Sequence, residues 1–194
     1  MIKTPGTEDY DRTMGDSFER KIQPTLEDIF GPLTRRSDAD KFDVFDFSNE
    51  QIERYSRHII LKEVGGTGQT KLLEAKVLLI GAGGLGSPIA IYLAAVGIGK
   101  IGIVDKDNVE ISNLSRQIIF RTNDINKNKS LAAINKLKKI NPDIQLKSFN
   151  KNLTTININQ IAKKFDLIVD GSDNFRTRFL INDYCLKNKK ILVS

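Results

Sequence analysis

From residue 76 onward the chain alternates short apolar runs with longer stretches of helical period. Runs at 76–80, 100–105, 144–149 and 166–170 have strand length, and the last residues, from Lys190 to Ser194, open another. Between them, helical patterns fall at 87–96, 127–140, 156–164 and 175–188. Leu131, Ile134, Leu137 and Ile140 give the second of these helices one apolar face, and Asn141-Pro142 ends it. Strand–helix alternation with continuously apolar strands predicts a parallel sheet covered on both faces. The expected fold is therefore α/β and doubly wound, mainly parallel, with helices on both sides. A strand that opens at Ile191 and stops at Ser194 leaves no closing helix, so the chain reads as the N-terminal part of something longer.

Upstream, Ser48 is a good helix N-cap with Gln51 three positions on, and Ile52, Tyr55, Ile59 and Ile60 supply an apolar stripe. A Gly65-Gly66-Thr67-Gly68 loop then leads into a short helix at 69–74. Residues 1–47 show no sustained period and carry Pro5, Gly6, Gly15, Pro24, Gly31 and Pro32. They predict a largely disordered extension, with a short helix around 26–30, before a domain at 48–194.

Composition narrows the class. With 194 residues, 40% hydrophobic and 28% charged, the chain can bury a real core. No apolar run approaches the roughly 20 residues of a membrane helix, and the start lacks the order of a secretory signal. The cytoplasm is the expected location, with no membrane partner. Cys185 is the single cysteine, which excludes an internal disulfide and a Cys-only zinc site in these residues. Seven Lys/Arg against eleven Asp/Glu give residues 1–47 a net −4, so the overall +6 leaves +10 on the rest. A basic domain suits a polyanionic ligand or an acidic partner. No stacking aromatics accompany the lysines, which argues against nucleic acid.

The strand 76–80 runs into Gly81-Ala82-Gly83-Gly84-Leu85-Gly86, and a helix pattern begins at Ser87-Pro88. Glycine permits the tight turn and lets a phosphate reach main-chain N–H groups without meeting a Cβ. The helix behind it points unpaired N–H groups and its positive dipole end at the same place. Asp105 ends the next strand, about 20 residues further on, where a Rossmann-like sheet places a carboxylate at the ribose hydroxyls. At this point NAD, FAD and ATP all remain open.

The next block shifts the balance toward a triphosphate. Ser112, Asn113, Leu114, Ser115, Arg116 and Gln117 form a polar cluster just past the ribose carboxylate. A helical turn would bring Asn113 and Arg116 to one side. A planar guanidinium and an amide suit phosphate oxygens where a dinucleotide would need room for nicotinamide. Lys129 opens the following helix against its dipole, a position better explained by an anionic ligand than by helix stability. A third block, Asp170-Gly171-Ser172-Asp173-Asn174, leaves the strand 166–170 at the same sheet edge. A carboxylate facing a triphosphate needs a cation between them, so Asp173 is a candidate Mg²⁺ ligand as well as a candidate N-cap for 175–188. Asp170 is assigned to the turn. Cys185, among Leu180, Ile181 and Tyr184, is assigned to core packing, and His58 to a structural role.

Together these blocks resemble the ThiF/MoeB family, bacterial relatives of ubiquitin-activating enzymes. The matching text is Arg54-Tyr55-Ser56-Arg57, Gly81 to Gly86, Asp105 to Gln117, Lys129, and Asp170 to Asn174. The resemblance implies an ATP-dependent adenylyltransferase that binds Mg-ATP and a ubiquitin-fold sulfur-carrier protein ending in Gly-Gly, of the MoaD or ThiS kind. The carrier's carboxylate attacks the α-phosphate, giving an acyl-adenylate and pyrophosphate, in molybdopterin or thiamine biosynthesis. It further implies catalytic roles for Arg57, Arg116 and Asp173, with Arg57 reaching a neighbouring subunit's site in a homodimer. Nucleotide contacts fall on Gly81, Gly83, Gly84, Gly86, Asp105, Ser112 to Gln117, Lys129, Asp173 and Asn174. The family's two Cys-x-x-Cys zinc pairs are absent from these residues, and residues 1–47 match nothing in the family. The alternatives are a non-catalytic nucleotide or partner-binding module, a tRNA-threonylcarbamoyladenosine dehydratase-like member, and an NAD-dependent oxidoreductase.

Overall fold

Five parallel strands make one sheet in the order β3-β2-β1-β4-β5: β1 (Lys76–Ile80), β2 (Lys100–Val104), β3 (Gln145–Phe149), β4 (Leu167–Asp170) and β5 (Ile191–Val193). The computed structural model describes residues 47–194. The expected extension and its short helix around 26–30 lie outside the described residues. Six α-helices are described: α1 (Asn49–Ile59), α2 (Gly65–Glu74), α3 (Gly86–Ala95), α4 (Lys129–Ile140), α5 (Ile158–Ala162) and α6 (Phe175–Asn188).

Alternate side chains of the strands feed two cores, as the period-2 geometry of a strand requires. Val77, Leu79, Ile101, Ile103 and Val169 pack with Ala90 and Ala94 of α3 and with Ala132, Ala133 and Leu137 of α4. Leu78, Ile80, Val104 and Ile168 pack with Ile158, Ile161 and Ala162 of α5 and with Ile181, Tyr184 and Cys185 of α6. The doubly wound α/β fold expected from the sequence is therefore the one observed. Parallel pairing runs in register from Lys76↔Lys100 to Ile80↔Val104 and from Val77↔Leu167 to Ile80↔Asp170. Ile80, Val104 and Asp170 consequently end side by side, and their following loops share one edge.

Several local expectations are corrected. Gly65 and Gly66 belong to α2 rather than to a loop, despite glycine's low helix propensity. Packing overrides propensity there: buried Gln69 shares a 3.0 Å hydrogen bond with His58 Nδ1 and donates to the Val96 carbonyl at 3.0 Å. His58 accordingly serves structure, as expected. Ile60 caps the C-terminus of α1 and is exposed, while Tyr55 and Ile59 carry the burial. In α4 the Asn128 cap sets the phase, so Ala132, Ala133 and Leu137 point inward and Leu131 is 53% exposed. Helix α5 is shorter than 156–164, leaving Ile156 in solvent. β3 is an edge strand with exposed residues rather than a continuously buried one.

Helix α1 is tied to this body from one side. The Tyr55 hydroxyl accepts a hydrogen bond from Asn141 Nδ2 at 2.8 Å, and Arg54 Nη1 donates to the Ile140 carbonyl at 3.1 Å. Arg54 also stands 3.6 Å from the Asp143 carboxylate.

Candidate functional site

Two glycine contacts, backbone on backbone, shape this edge: one joins the loops after β1 and β4, and one closes the loop after β1 on itself. Gly81 has a φ of +88°, which L side chains rarely adopt, and a Cβ there would stand 2.8 Å from the Gly171 carbonyl oxygen. A Cβ on Gly86 would lie 2.0 Å from the Gly81 carbonyl oxygen. These glycines are required by the fold itself. Gly83 differs: a Cβ there meets nothing within 4 Å. Its space is open toward the cleft, so the missing side chain leaves a main-chain approach free for a ligand.

Between these loops and the ends of β2 and β3 lies a cleft of about 410 Å³. Its place is the point where the strand order reverses between β1 and β4, outside the carboxyl ends of the strands, where open α/β sheets bind ligands. Five cations line it (Lys106, Arg116, Lys129, Lys151 and Arg178) against the carboxylates of Asp105, Asp107 and Asp173. The cleft therefore favours an anion.

Asp105 reaches back to the glycine turn. Its Oδ2 accepts the Ala82 N–H at 2.8 Å and its Oδ1 accepts the Asp107 N–H at 2.9 Å. Burial raises its pKa above the usual carboxylate range, although both N–H bonds and the Lys129 charge pull the other way. Lys129 is buried at the first position of α4, with its Nζ 3.9 Å from Asp107 Oδ2. Asn113 is buried at the end of a 3₁₀ turn (Ile111–Asn113), and its Oδ1 accepts the Glu110 N–H at 3.0 Å. That turn delivers Asn113, Arg116 and Gln117 to the cleft wall. Arg116 Nη1 donates to the Ser112 carbonyl at 3.1 Å, and its aliphatic stem covers Gly84. Gln117 is buried, and its Oε1 has no hydrogen-bond partner among the described residues.

The structure thus gathers Gly81, Gly83, Gly84, Asp105, Asn113, Arg116, Gln117, Lys129, Asp173 and Asn174 at one cleft. It does not bring Gly86, Ser112, Leu114, Ser115 or Arg57 to its wall. Gly86 works from behind by admitting the Gly81 carbonyl. Asn113, Arg116 and Gln117 share one side of the turn, and the residues between them face elsewhere: Leu114 packs on the apolar core, and the exposed Ser112 hydroxyl donates to Glu110 Oε2 at 3.3 Å. Ser115 is exposed beside it, its hydroxyl donating to the Ser112 carbonyl at 3.4 Å. Arg57 is exposed on α1, opposite the buried Tyr55 and Ile59.

Asn174, not Asp173, caps α6: its Oδ1 accepts the Thr177 N–H at 2.9 Å. Asp173 is exposed at the cleft, with no polar side-chain contact among the described residues. Among the described residues no three His, Cys, Asp or Glu side chains cluster as a metal site. Asp105 is committed to backbone N–H groups and Asp107 faces Lys129, so Asp173 is the uncommitted carboxylate of the cleft; that arrangement fits Mg²⁺, which keeps its waters and takes one or two carboxylates plus phosphate oxygens. It does not fit zinc. Cys185 is 3% exposed in the core, and burial raises its thiol pKa, so it is neither ligand nor nucleophile here.

Sequence reasoning missed Lys106, Asp107, Lys151, Asn152, Leu153, Thr177 and Arg178 at the cleft. The signal was available for most of them: they follow the carboxyl ends of β2, β3 and β4, the edge that carries ligands in such sheets.

The ThiF family model matches residues 55–194, most of the chain and every cleft residue. The chain belongs to the ThiF family. A probable molybdopterin-synthase adenylyltransferase of Porphyra purpurea is 49% identical to this ThiF chain over 145 residues, covering 75% of it and 38% of the relative. A sulfur carrier protein adenylyltransferase of Thermus thermophilus is 43% identical over 147 residues, covering 76% of the chain and 54% of the relative. The chain thus spans about half or less of the length of these relatives. Among solved structures, E. coli tRNA N6-threonylcarbamoyladenosine dehydratase in complex with ATP superposes with a TM-score of 0.71 at 26% identity, over 75% of this ThiF chain and 59% of the other. No described helix is long and apolar enough to cross a membrane.

Proposed function

We propose that this ThiF chain carries the nucleotide site of an ATP-dependent adenylyltransferase that activates the C-terminal carboxylate of a small Gly-Gly-ended sulfur-carrier protein. The observation that supports it is the cationic cleft at the sheet's switch point, where Arg116 and Lys129 face an open glycine turn. On this reading the Gly83 and Gly84 N–H groups receive phosphate oxygens, and Arg116 and Lys129 offset their charge. Asp105 accepts from a ribose hydroxyl while keeping its hold on Ala82. Asp173 and Asn174 face the phosphates from the β4 side, with Asp173 as the carboxylate that meets Mg²⁺. That ion would supply charge neutralisation at the phosphates.

A carrier carboxylate oxygen attacks the α-phosphorus, the bond to the bridging oxygen breaks, and pyrophosphate leaves with the electron pair. No proton moves, so the residues here need only align two anions and screen their repulsion. Among the described residues Arg57 has no polar side-chain contact, whereas Arg54 and Tyr55 are committed to holding α1. That leaves Arg57 free to reach the site of a second subunit in a homodimer, as an arginine supplied in trans.

Identity of 49% and 43% to enzymes named for molybdopterin synthase and sulfur carriers, against 26% to the tRNA dehydratase, favours the carrier reading. Pyrophosphate exchange into ATP, dependent on a Gly-Gly-ended carrier, tests the reaction. Thermal protection by Mg-ATP but not by NADH tests the site separately. Protection by NADH alone would overturn the nucleotide assignment; ATP protection without exchange would leave a binding module.

A further inference from the structure

The loop between β4 and α6 is pinned on both sides of Asp173 and nowhere on Asp173 itself. Buried Asp170 accepts from the Ser172 N–H at 2.9 Å and from the Ser172 hydroxyl at 2.6 Å, both through Oδ1. From the opposite side Arg178 donates to the Ser172 carbonyl, with Nη2 at 3.1 Å and Nε at 3.4 Å. The same Nε stands 3.9 Å from Asp170 Oδ2, whose residue's side chain is 2% exposed. After Asp173 comes Asn174, fixed as the α6 cap. Gly171 completes the anchorage, its N–H bonded to the Ile80 carbonyl at 2.8 Å.

Arg178 lies near the start of α6, where a cation opposes the helix dipole. Helix stability therefore does not account for it. Its contacts do: it supplies charge to a buried carboxylate and clamps the residue immediately before Asp173. We infer that Arg178 is a positioning residue, acting through Ser172 to hold Asp173 in place for the divalent cation of a bound nucleoside triphosphate. The inference rests on the nucleotide reading above and adds to it the group that makes the carboxylate rigid. An exposed, unpartnered aspartate samples several rotamers, and a clamped backbone removes much of that freedom before the ligand arrives.

The test is the ratio of affinities for α,β-methylene ATP with and without Mg²⁺, measured by calorimetry. Wild-type protein should bind more tightly with Mg²⁺. Arg178→Met should shrink that advantage about tenfold, the effect of losing one well-placed hydrogen-bonded clamp. Arg178→Lys keeps a cation against Asp170 and one donor for Ser172, and should give an intermediate ratio even where the methionine variant fails to fold. Asp173→Asn should remove the advantage, and adding Arg178→Met to it should have no further effect on the ratio. A merely structural role for Arg178 would lower both affinities in proportion, whereas a direct electrostatic role would weaken the more highly charged metal-free analogue more and enlarge the Mg²⁺ advantage, and an enlarged advantage also overturns the inference. An unchanged ratio in Arg178→Met or Arg178→Lys, or independent effects in the double variant, overturns the inference. Failure of the wild-type protein to bind the analogue at all would overturn the nucleotide reading with it, which is a different result from a bound analogue with an Arg178-independent ratio.

Discussion

The Asp105 carboxylate holds the Ala82 N–H at 2.8 Å, so the acid that ends β2 also shapes the glycine turn after β1. A ribose contact would be a second duty for a group that already maintains the glycine turn. Asp105→Ala should therefore cost about 2–3 kcal/mol in denaturant unfolding, through loss of two N–H bonds to a charged acceptor. It should also weaken ATP binding by well over tenfold. Asp105→Asn, which keeps one acceptor oxygen, should be milder in unfolding. Wild-type values on both measurements for the alanine variant would disprove the double role.

The glycines of the turn divide into two kinds, and substitution separates them. Gly86→Ala forces a Cβ to within 2.0 Å of the Gly81 carbonyl oxygen. It should destabilise the domain by about 3 kcal/mol or more. Gly83→Ala meets open space and should change stability by less than about 0.5 kcal/mol. Its methyl group would nevertheless stand where a phosphate must approach, so ATP affinity should fall about tenfold or more. Thermal melts with and without Mg-ATP read both effects.

The Arg116 side chain is exposed and its one described side-chain hydrogen bond goes to the Ser112 carbonyl, so its removal should spare the fold. Arg116→Ala is expected to weaken ATP binding severely with an unchanged melting temperature. Unaltered affinity would remove its phosphate role.

Arg57→Ala should lower adenylation without altering the fold, because Arg57 makes no polar contact among the described residues. Mixing Arg57→Ala and Arg116→Ala subunits of the full-length protein should restore activity to a fraction of the sites. Absence of any complementation would rule out an arginine supplied across a subunit boundary.

Acid should weaken the domain through Asp124. Burial opposes its ionisation, but the Lys136 hydrogen bond at 2.9 Å, the Arg121 N–H, and the charges of Lys136 and Lys127 together bring its pKa below the usual carboxylate range. Its stabilisation is complete above the unfolded value, about 3.9. It is lost as pH falls through the lower folded value. Asp105 has the opposite sign: its raised pKa favours the folded, protonated form, so acidification first relieves its burial. Asp124→Asn should flatten the acid loss measured by unfolding from about pH 5 downward through the lower folded value, and an unchanged acid limb would contradict this assignment.

Periodicity and glycine chemistry made most of the fold legible. The apolar runs around Val77, Ile101 and Ile168 have one stable outcome when separated by helices, a parallel sheet with both faces covered. Gly81 to Gly86 after the first run marks the ligand edge. Less legible were the places where one contact overrules local preference. Gly65 and Gly66 became helical because Gln69 bridges His58 and Val96, a relationship between residues far apart in the chain. Leu131 falls in the apolar stripe of the sequence pattern, yet the cap at Asn128 sets a helix phase that turns it toward solvent.

What the chain determined alone is therefore the class of fold, the glycine turn and the anionic character of the ligand proposed for it, since these depend on residue type and spacing. Tertiary structure decided which polar residues share the cleft. Lys151 and Arg178 reach it only because β3 and β4 end beside the strand that carries the glycines, and strand order is written in long-range pairing. It also decided that Asn174 caps α6 while Asp173 is left uncommitted, a choice of backbone geometry that neighbouring Asp and Asn residues do not announce in sequence.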